Sequence, residues 1–338
     1  MNNLKIKEIP SNKTKIKNPP LAEQDVIPKL GTSCIFNGTT GMGKSTLLTN
    51  LISDKRFYGK PGVFTHKFLV SPTAEGDDVQ KKLGIKKKNT FTNLNIAHHF
   101  IEKIMMFQKQ KVIKHGSDKA PQILLIYDDV IAAPKFMRTD EFVKSFIASR
   151  HYNLTTMICT QSWTAVPRRC RLQARNIFFF AAPQSEVEIL CDEHCPPRFT
   201  KKQFVAMVNW ATHKPYNFLY INKTVPMKER YRRNLDEIID LKKFRQSTRK
   251  PTNQAYENHL DSILEQSSEE EEKNVKTSEN NEHKRKRRVR RKHGINKKSF
   301  GRRSRRGPRG IRQYSDVYGG PPFKKTKADY EKQIAESI

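Results

Sequence analysis

The chain has 338 residues, with 65 lysines and arginines against 34 aspartates and glutamates, and its formal net charge is +31. This length suffices for one large core or two small ones, and so large a positive charge indicates a polyanionic partner, either nucleic acid or an acidic surface. Five irregularly spaced cysteines imply no disulfide framework and favour a reducing compartment. The first residues lack the apolar core of a signal peptide and the apolar runs are too short for a bilayer, so we expect neither secretion nor a membrane partner.

Residues 1–22 are rich in Lys, Asn and Pro and are predicted to form a flexible basic arm. Residues 23–245 alternate short apolar runs with segments of helical periodicity. Most of the runs are continuously apolar, which is typical of strands covered on both faces. The pattern predicts an α/β domain with a mostly parallel sheet flanked by helices. The predicted strands are 34–37, 68–71, 123–128, 155–160, 177–180 and 218–221, and the predicted helices are 44–54, 93–109, 138–149, 184–191 and 200–212.

The first apolar run leads into a glycine-rich motif. Residues 38–45 read G-T-T-G-M-G-K-S, which fits the phosphate-binding P-loop pattern G-x-x-x-x-G-K-[ST], and a strand before and a helix after it complete the expected context. We expect Lys44 to contact the β- and γ-phosphates and Ser45 to ligate Mg²⁺. The motif predicts ATP and Mg²⁺ as cofactors, with the nucleotide contacted by Gly38, Thr39, Thr40, Gly41, Met42, Gly43, Lys44, Ser45 and Thr46.

The run at 123–128 ends in two carboxylates. A buried strand that ends in Asp128 and Asp129 is typical of a Walker-B motif, in which Asp128 holds Mg²⁺ or its waters and Asp129 polarises the attacking water. An acidic pair that caps a turn is the alternative interpretation.

The predicted strand 155–160 ends at Gln161. In nucleotidases of this architecture, the strand between the P-loop strand and the Walker-B strand ends in a polar sensor of the γ-phosphate. An amide can donate to phosphate and accept from water, so Gln161 is the candidate for this role. An ordinary polar residue at a strand end is the alternative.

Two other patterns favour structural roles. The cluster of cysteines, acids and histidine at 191–195 fits no common zinc spacing, and a helix-to-loop segment is the preferred interpretation. Trp163 lies near basic residues and would suit a DNA contact in a ring's pore, although simple packing is preferred.

Residues 246–338 are predicted to be largely disordered, because few apolar residues and high charge cannot offset the entropy of ordering. They contain an acidic run at 267–272 and a basic block at 284–312, which has sixteen lysines and arginines and no acidic residue. The block suits nuclear localisation, sequence-independent phosphate contact, or both. One short helix face is predicted there, as a transient helix or a docking element: Tyr256, Leu260, Ile263 and Leu264.

The order of these motifs resembles the FtsK–HerA superfamily of P-loop ATPases. The likeness covers roughly residues 30–240 and is greatest to the poxvirus-type genome-packaging ATPases of large eukaryotic DNA viruses and Maverick/Polinton elements. One departure is Asp129 in place of the usual catalytic glutamate, a form that the viral branch tolerates. The segments that carry the resemblance are the P-loop, 68–73, Asp128-Asp129, 149–153, Gln161, 173–180, 220–221 and 232–235.

The resemblance implies a RecA-like ATPase that translocates double-stranded DNA into a capsid. It assigns catalysis to Lys44, Asp129, Gln161 and Arg175, with Arg175 as an arginine finger that reaches the neighbouring subunit's site. It also implies a homo-oligomeric ring, by analogy a hexamer, capsid proteins as partners, and localisation in the virion or the host nucleus. Other arginines remain alternatives for the finger: Arg150, Arg168, Arg169 and Arg171. The alternative functions are a DNA-binding or capsid-associated module with a slow regulatory nucleotide site, and a helicase.

Overall fold

The structure is a computed structural model that describes residues 16–74 and 79–248. These residues confirm the predicted α/β class, a mostly parallel sheet flanked by helices. The strands of the described part are β1 (Ser33–Asn37), β2 (His66–Val70), β3 (Thr90–Phe91), β4 (Ile123–Asp128), β5 (Leu154–Thr160), β6 (Asn176–Phe180), β7 (Phe218–Asn222), β8 (Tyr231–Arg233) and β9 (Glu237–Ile238).

The α-helices range from single turns to one long helix. They are α1 (Pro20–Glu23), α2 (Lys44–Ser53), α3 (Val79–Lys82), α4 (Leu94–His115), α5 (Pro134–Met137), α6 (Asp140–Ile147), α7 (Arg168–Gln173), α8 (Gln184–His194), α9 (Lys201–Thr212) and α10 (Leu241–Ser247). Short 3₁₀ turns, such as Ser149–Tyr152 before β5, connect several of these elements.

The sheet has the order β3-β2-β4-β5-β1-β6-β7-β8-β9. Pairing is parallel from β3 to β6 and antiparallel from β6 to β9. β5 therefore lies between β1 and β4, as the sequence predicted. Because β1, β4 and β5 run in the same direction, the residues that follow these strands meet at the carboxyl edge of the sheet.

Both faces of the sheet are buried. Side chains alternate along each strand, so that Ile35 packs into one core cluster and its neighbours Cys34 and Phe36 pack into the other. Helices α4 to α9 contribute to the first cluster, whereas α1 and α2 contribute to the second. This two-sided burial explains why the strand sequences are continuously apolar.

Several predicted boundaries differ from the structure. The predicted helix 138–149 is confirmed as α6, which is two residues shorter at each end, whereas the single turn α5 just before it was not predicted. Thr139 separates them because its side chain accepts a hydrogen bond from the Phe142 backbone N–H and begins a new helix. Helix α4 runs past the predicted end at 109 to His115, and Gly116, with φ 81°, follows as its C-cap. The short strands β3, β8 and β9 were not predicted.

The folded domain begins before residue 23, the start that the sequence predicted. Ala22 in α1 is fully buried, so the second core cluster includes a residue of the predicted arm. Residues 1–15, the acidic run, the basic block and the helix face at 256–264 lie outside the described residues. Within the described ranges, no helix has both the length and the apolar character that a membrane crossing requires.

Candidate nucleotide-binding site

The P-loop leaves the carboxyl end of β1 and ends at the N-terminus of α2. Gly41 and Gly43 have φ values of 84° and 96°, which L-residues with side chains rarely adopt. Gly38 is required for space, because a Cβ at this position would lie 2.6 Å from the Cβ of Phe180. The loop is therefore shaped by its glycines to present a helix N-terminus, the geometry that binds phosphate.

Backbone hydrogen bonds attach the loop to both neighbouring strands. The Gly38 N–H donates to the Thr160 carbonyl of β5 at 3.3 Å, and the Thr39 N–H donates to the Ala181 carbonyl after β6 at 3.3 Å. Ser45 and Thr46, in the first turn of α2, are exposed. The predicted nucleotide contacts 38–46 thus form one continuous loop and helix start.

Lys44 lies folded back on the loop. Its Nζ donates to the carbonyls of Gly38 at 2.6 Å and Thr39 at 2.8 Å. Burial lowers the pKa of the Lys44 ammonium below its ordinary value, while the nearby Asp129 and Asp128 carboxylates act in the opposite direction. The lysine and the two acids therefore interact electrostatically across one site.

The two acids end β4. Asp128 pairs in register with Cys159, and Asn37 pairs with Thr160, so two strand spacings of about 5 Å separate Asp128 from the end of β1. Asp128 is buried, whereas Asp129 is partly exposed and turns the chain with a left-handed φ of 50°. The carboxylates and the Ser45 hydroxyl are the hard oxygen ligands that Mg²⁺ prefers.

Gln161 lies directly beside the P-loop. The Thr40 hydroxyl donates to the Gln161 Oε1 at 3.1 Å, so the end of β5 contacts the loop that the motif assigns to phosphate. Lys44, Asp128, Asp129 and Gln161 are thus brought together at the carboxyl edge of the sheet.

A thiol lies beneath this site. Cys159 is buried at the end of β5, close enough to Lys44 and Asp128 for their charges to influence it. Burial raises the pKa of this thiol well above its ordinary value, and the Asp128 carboxylate raises it further. Cys159 is therefore a protonated packing residue of the site.

Sequence reasoning missed Glu186, a buried acid in the first turn of α8. Its carboxylate accepts hydrogen bonds from the Ser162 hydroxyl and the Trp163 N–H, each at 2.6 Å, and from the Asn37 side-chain amide at 3.4 Å. Glu186 therefore joins the residue before the P-loop to the residues after Gln161. The sequence signal was weak: an acid in a helix's first turn usually faces solvent, and only its position shortly after β6 pointed to the carboxyl edge.

A buried ion pair holds the segment that follows Gln161. Arg171 donates to both oxygens of Glu193, at 2.7 and 2.9 Å, and to the Val166 carbonyl at 2.7 Å. The indole N–H of Trp163 also donates to Glu193, at 3.0 Å, and the Trp163 side chain is fully buried. The packing interpretation of Trp163 is confirmed, and Arg171 is committed to this internal pair. Cys191 and His194 lie in α8.

Arg175 lies at the opposite edge of the sheet. It is exposed, and its backbone N–H donates to the Ser33 carbonyl at the start of β1 at 3.1 Å. The length of β1, about 13 Å from first to last residue, separates this position from the P-loop. The structure therefore does not bring Arg175 to the nucleotide site of its own subunit. Arg150, just before β5, lies at the same amino edge and is also exposed.

Comparison with solved structures finds several ATPases. The genome packaging NTPase B204 from Sulfolobus turreted icosahedral virus 2, in complex with AMP, is 17% identical over 57% of this chain and 93% of that chain, with a TM-score of 0.41. The DNA-packaging ATPase B204 from Sulfolobus turreted icosahedral virus is 14% identical over 58% and 94%, with a TM-score of 0.41. EssC (ATPases 2 and 3) from Geobacillus thermodenitrificans is 15% identical over 57% and 38%, also with a TM-score of 0.41.

A search of curated protein sequences gives no significant match. The sequence profile of the poxvirus A32 protein family, in contrast, matches residues 33–248. This range is more than half of the chain and includes the P-loop, both acids at the end of β4, Gln161 and Arg175. The chain belongs to the poxvirus A32 protein family and is a viral genome-packaging ATPase.

Proposed function

We propose that the protein translocates double-stranded DNA into a capsid by hydrolysing ATP with Mg²⁺ in a homo-oligomeric ring. The observation that carries this proposal is the convergence of Lys44, Asp128, Asp129 and Gln161 on one P-loop, while Arg175 lies exposed at the other edge of the sheet. A site that brings a lysine, two acids and a glutamine together, and an exposed arginine distant from that site, suit subunits that complete each other's sites.

The proposed roles follow from chemistry and position. Lys44 stabilises charge on the β- and γ-phosphates, and Ser45 and Asp128 hold Mg²⁺, which neutralises charge on the phosphates when bound. Asp129 orients and polarises the attacking water. Gln161, already in contact with the P-loop, senses the γ-phosphate.

Arg175 is proposed as the finger that stabilises developing charge in the neighbouring subunit's site. Arg171 no longer competes for this role, because removal from its pair with Glu193 would leave a buried carboxylate without its cation. Exposed arginines at 150, 168 and 169 remain the alternatives. A hexamer is the proposed ring size, by resemblance.

The parts of the chain are proposed to divide the work of DNA translocation. Residues 23–245 are the proposed motor domain, and the basic block at 284–312 is proposed to contact DNA phosphates, to direct nuclear import, or both. If the block neutralised even about six phosphates, affinity would fall by about 10³ over a modest rise in salt. Capsid proteins are the proposed partners, and the virion or the host nucleus is the proposed location.

The test is the ATPase rate of the full chain with and without double-stranded DNA. The motor predicts strong stimulation by DNA, and Lys44→Ala, in a folded protein, abolishes both the basal and the stimulated rate. An unstimulated wild-type rate would instead support a DNA-binding or capsid-associated module with a regulatory nucleotide site. A helicase would unwind a forked duplex, whereas a translocase displaces a bound third strand without unwinding.

A further inference from the structure

An aromatic residue outside the motifs lies against the P-loop. The Tyr216 ring is so close to Gly43 that a Cβ on the glycine would come within 3.0 Å of the ring's Cδ1. Tyr216 comes from the connection between α9 and β7, more than 170 positions after the loop in sequence. Its ring nevertheless adjoins Gly43, the N-cap residue of α2.

The backbone of Tyr216 is strained. The Asn217 N–H donates to the Lys214 carbonyl at 3.1 Å, which closes a turn with Pro215 and Tyr216 at its centre. Tyr216 has φ 68°, at a position where such turns usually carry Gly or Asn. Among the described residues, the other non-glycines with positive φ are Asp25, Asp129, Asn153, Asn234 and Arg198, and four of these are Asp or Asn, which tolerate this region.

Burial of the side chain does not account for the strained backbone of Tyr216. The Tyr216 side chain is 67% exposed, so the strain is not offset by packing in a core. A bulky aromatic held in a disfavoured conformation and left largely in solvent is typical of a functional site. The base of a nucleotide is a flat ligand that stacks on such a ring.

The sheet order determines which end of a nucleotide would approach this ring. Gln161 and the acids at the end of β4, proposed to act at the γ-phosphate, lie on the β5 and β4 side of β1. The nucleoside end therefore extends toward β6 and β7. Phe218, the first residue of β7, pairs with Phe180, the last residue of β6, so Tyr216 lies at the carboxyl edge on that side.

We propose that Tyr216 is the platform on which the base of the bound nucleotide stacks. This inference rests on the proposed nucleotide site and adds a base-binding residue to it. Stacking requires only a π-face, so the residue confers affinity for a nucleoside rather than strict selection of adenine. Because the Tyr216 side chain is largely exposed, this face is open to a ligand.

The test compares Tyr216→Gly with Tyr216→Phe. Glycine suits φ 68° and removes the ring without adding strain, whereas phenylalanine keeps the stacking face. Calorimetry with Mg²⁺ measures the Kd of full-length protein for ATPγS, which has a base, and for inorganic tripolyphosphate, which has none. Lys44→Ala is the control that loses phosphate contact and weakens both.

We expect Tyr216→Gly to weaken ATPγS binding by about 5- to 150-fold, from about 1–3 kcal/mol per stacked base, and to leave tripolyphosphate binding unchanged. Tyr216→Phe should bind both as wild type does. Unchanged ATPγS binding in Tyr216→Gly overturns the proposal while the nucleotide site stands, and equal weakening of both ligands assigns Tyr216 to support of the loop instead. Wild-type protein that binds neither ligand removes the nucleotide site and the platform with it.

Discussion

The hydrogen bonds of Glu186 lead to an unusual expectation for its amide variant. Trp163 N–H and the Asn37 amide both donate to one carboxylate oxygen, Oε2, and the Ser162 hydroxyl donates to the other, Oε1. Ser162 also lies 3.0 Å from the Thr164 hydroxyl, with either group able to donate. Glu186→Gln can therefore keep its oxygen toward Trp163 and Asn37 and donate its NH₂ to Ser162, whose own proton turns to Thr164.

The two substitutions consequently differ in cost. Glu186→Gln loses only the charge-assisted part of the bonds, on the order of 1 kcal/mol. Glu186→Ala leaves the Trp163 and Asn37 donors without their acceptor, at about 1–3 kcal/mol each, or roughly 2–6 kcal/mol in total. A domain of this kind has about 5–15 kcal/mol of stability, so the alanine loss is large but need not unfold the protein.

Urea denaturation gives the stability of each variant, and steady-state ATPase assays give its kcat. Because Glu186 positions the residues after Gln161, we expect Glu186→Ala to lower kcat by about 10- to 100-fold under conditions where it is still folded. Glu186→Gln should keep kcat within a fewfold of wild type. Equal losses in the two variants would refute the hydrogen-bond reasoning, because they would show that the charge, not the acceptor geometry, is what matters.

Three further results are expected. Asp129→Asn should retain ATP binding and lower kcat by about 10²–10⁴-fold, whereas Asp128→Asn should also weaken Mg²⁺-dependent binding; calorimetry and turnover assays separate them. Arg175→Ala should lower kcat by about 10³–10⁵-fold and, mixed into wild type, should inhibit more than in proportion to its fraction. Burial lowers the pKa of His194 from 6.5 to about 4, so the unfolded chain takes up this proton at higher pH than the folded one. Stability should therefore fall by about 3 kcal/mol between pH 6.5 and 4, and this part should be absent in His194→Asn.

Each of these expectations has a contrary outcome. Identical binding defects in the two aspartate variants contradict their separate roles. A mixture of Arg175→Ala and Lys44→Ala protomers should regain some activity, since an intact P-loop can then meet an intact finger; full turnover by isolated Arg175→Ala monomers is incompatible with a trans finger. An unchanged pH profile in His194→Asn assigns the acid loss to other groups.

The motifs that bind phosphate were predictable because local sequence encodes them. Gly38 and Gly43 belong to a loop whose backbone conformation depends on glycine, and α2 begins directly after it at Lys44. The position of β5 between β1 and β4 was expected from the architecture of such nucleotidases, in which the strand between the P-loop strand and the Walker-B strand ends in a polar residue such as Gln161. Such motifs lie within a few consecutive residues, and glycine or a carboxylate at these positions has few other structural reasons to be there.

Glu186 and Tyr216 were not predictable, for different physical reasons. Glu186 is buried by the way α8 packs across the carboxyl edge, and an acid in a helix's first turn usually lies in solvent. Tyr216 is distinguished by its φ and by its distance to Gly43, neither of which a sequence displays. The single-turn helix α5 was not predictable either, because four residues are too few to display helical periodicity.

The cysteines have a practical consequence. Burial raises the pKa of all five thiols above the ordinary value, with those of Cys170 and Cys195 at about 12. Only a thiolate attacks an electrophile, so at neutral pH these five thiols should react with a maleimide dye more slowly than an exposed cysteine of ordinary pKa. A cysteine introduced at an exposed position outside the proposed catalytic residues would therefore be labelled preferentially. A fluorophore attached there would report on the protein with no need to replace Cys159 beneath the P-loop.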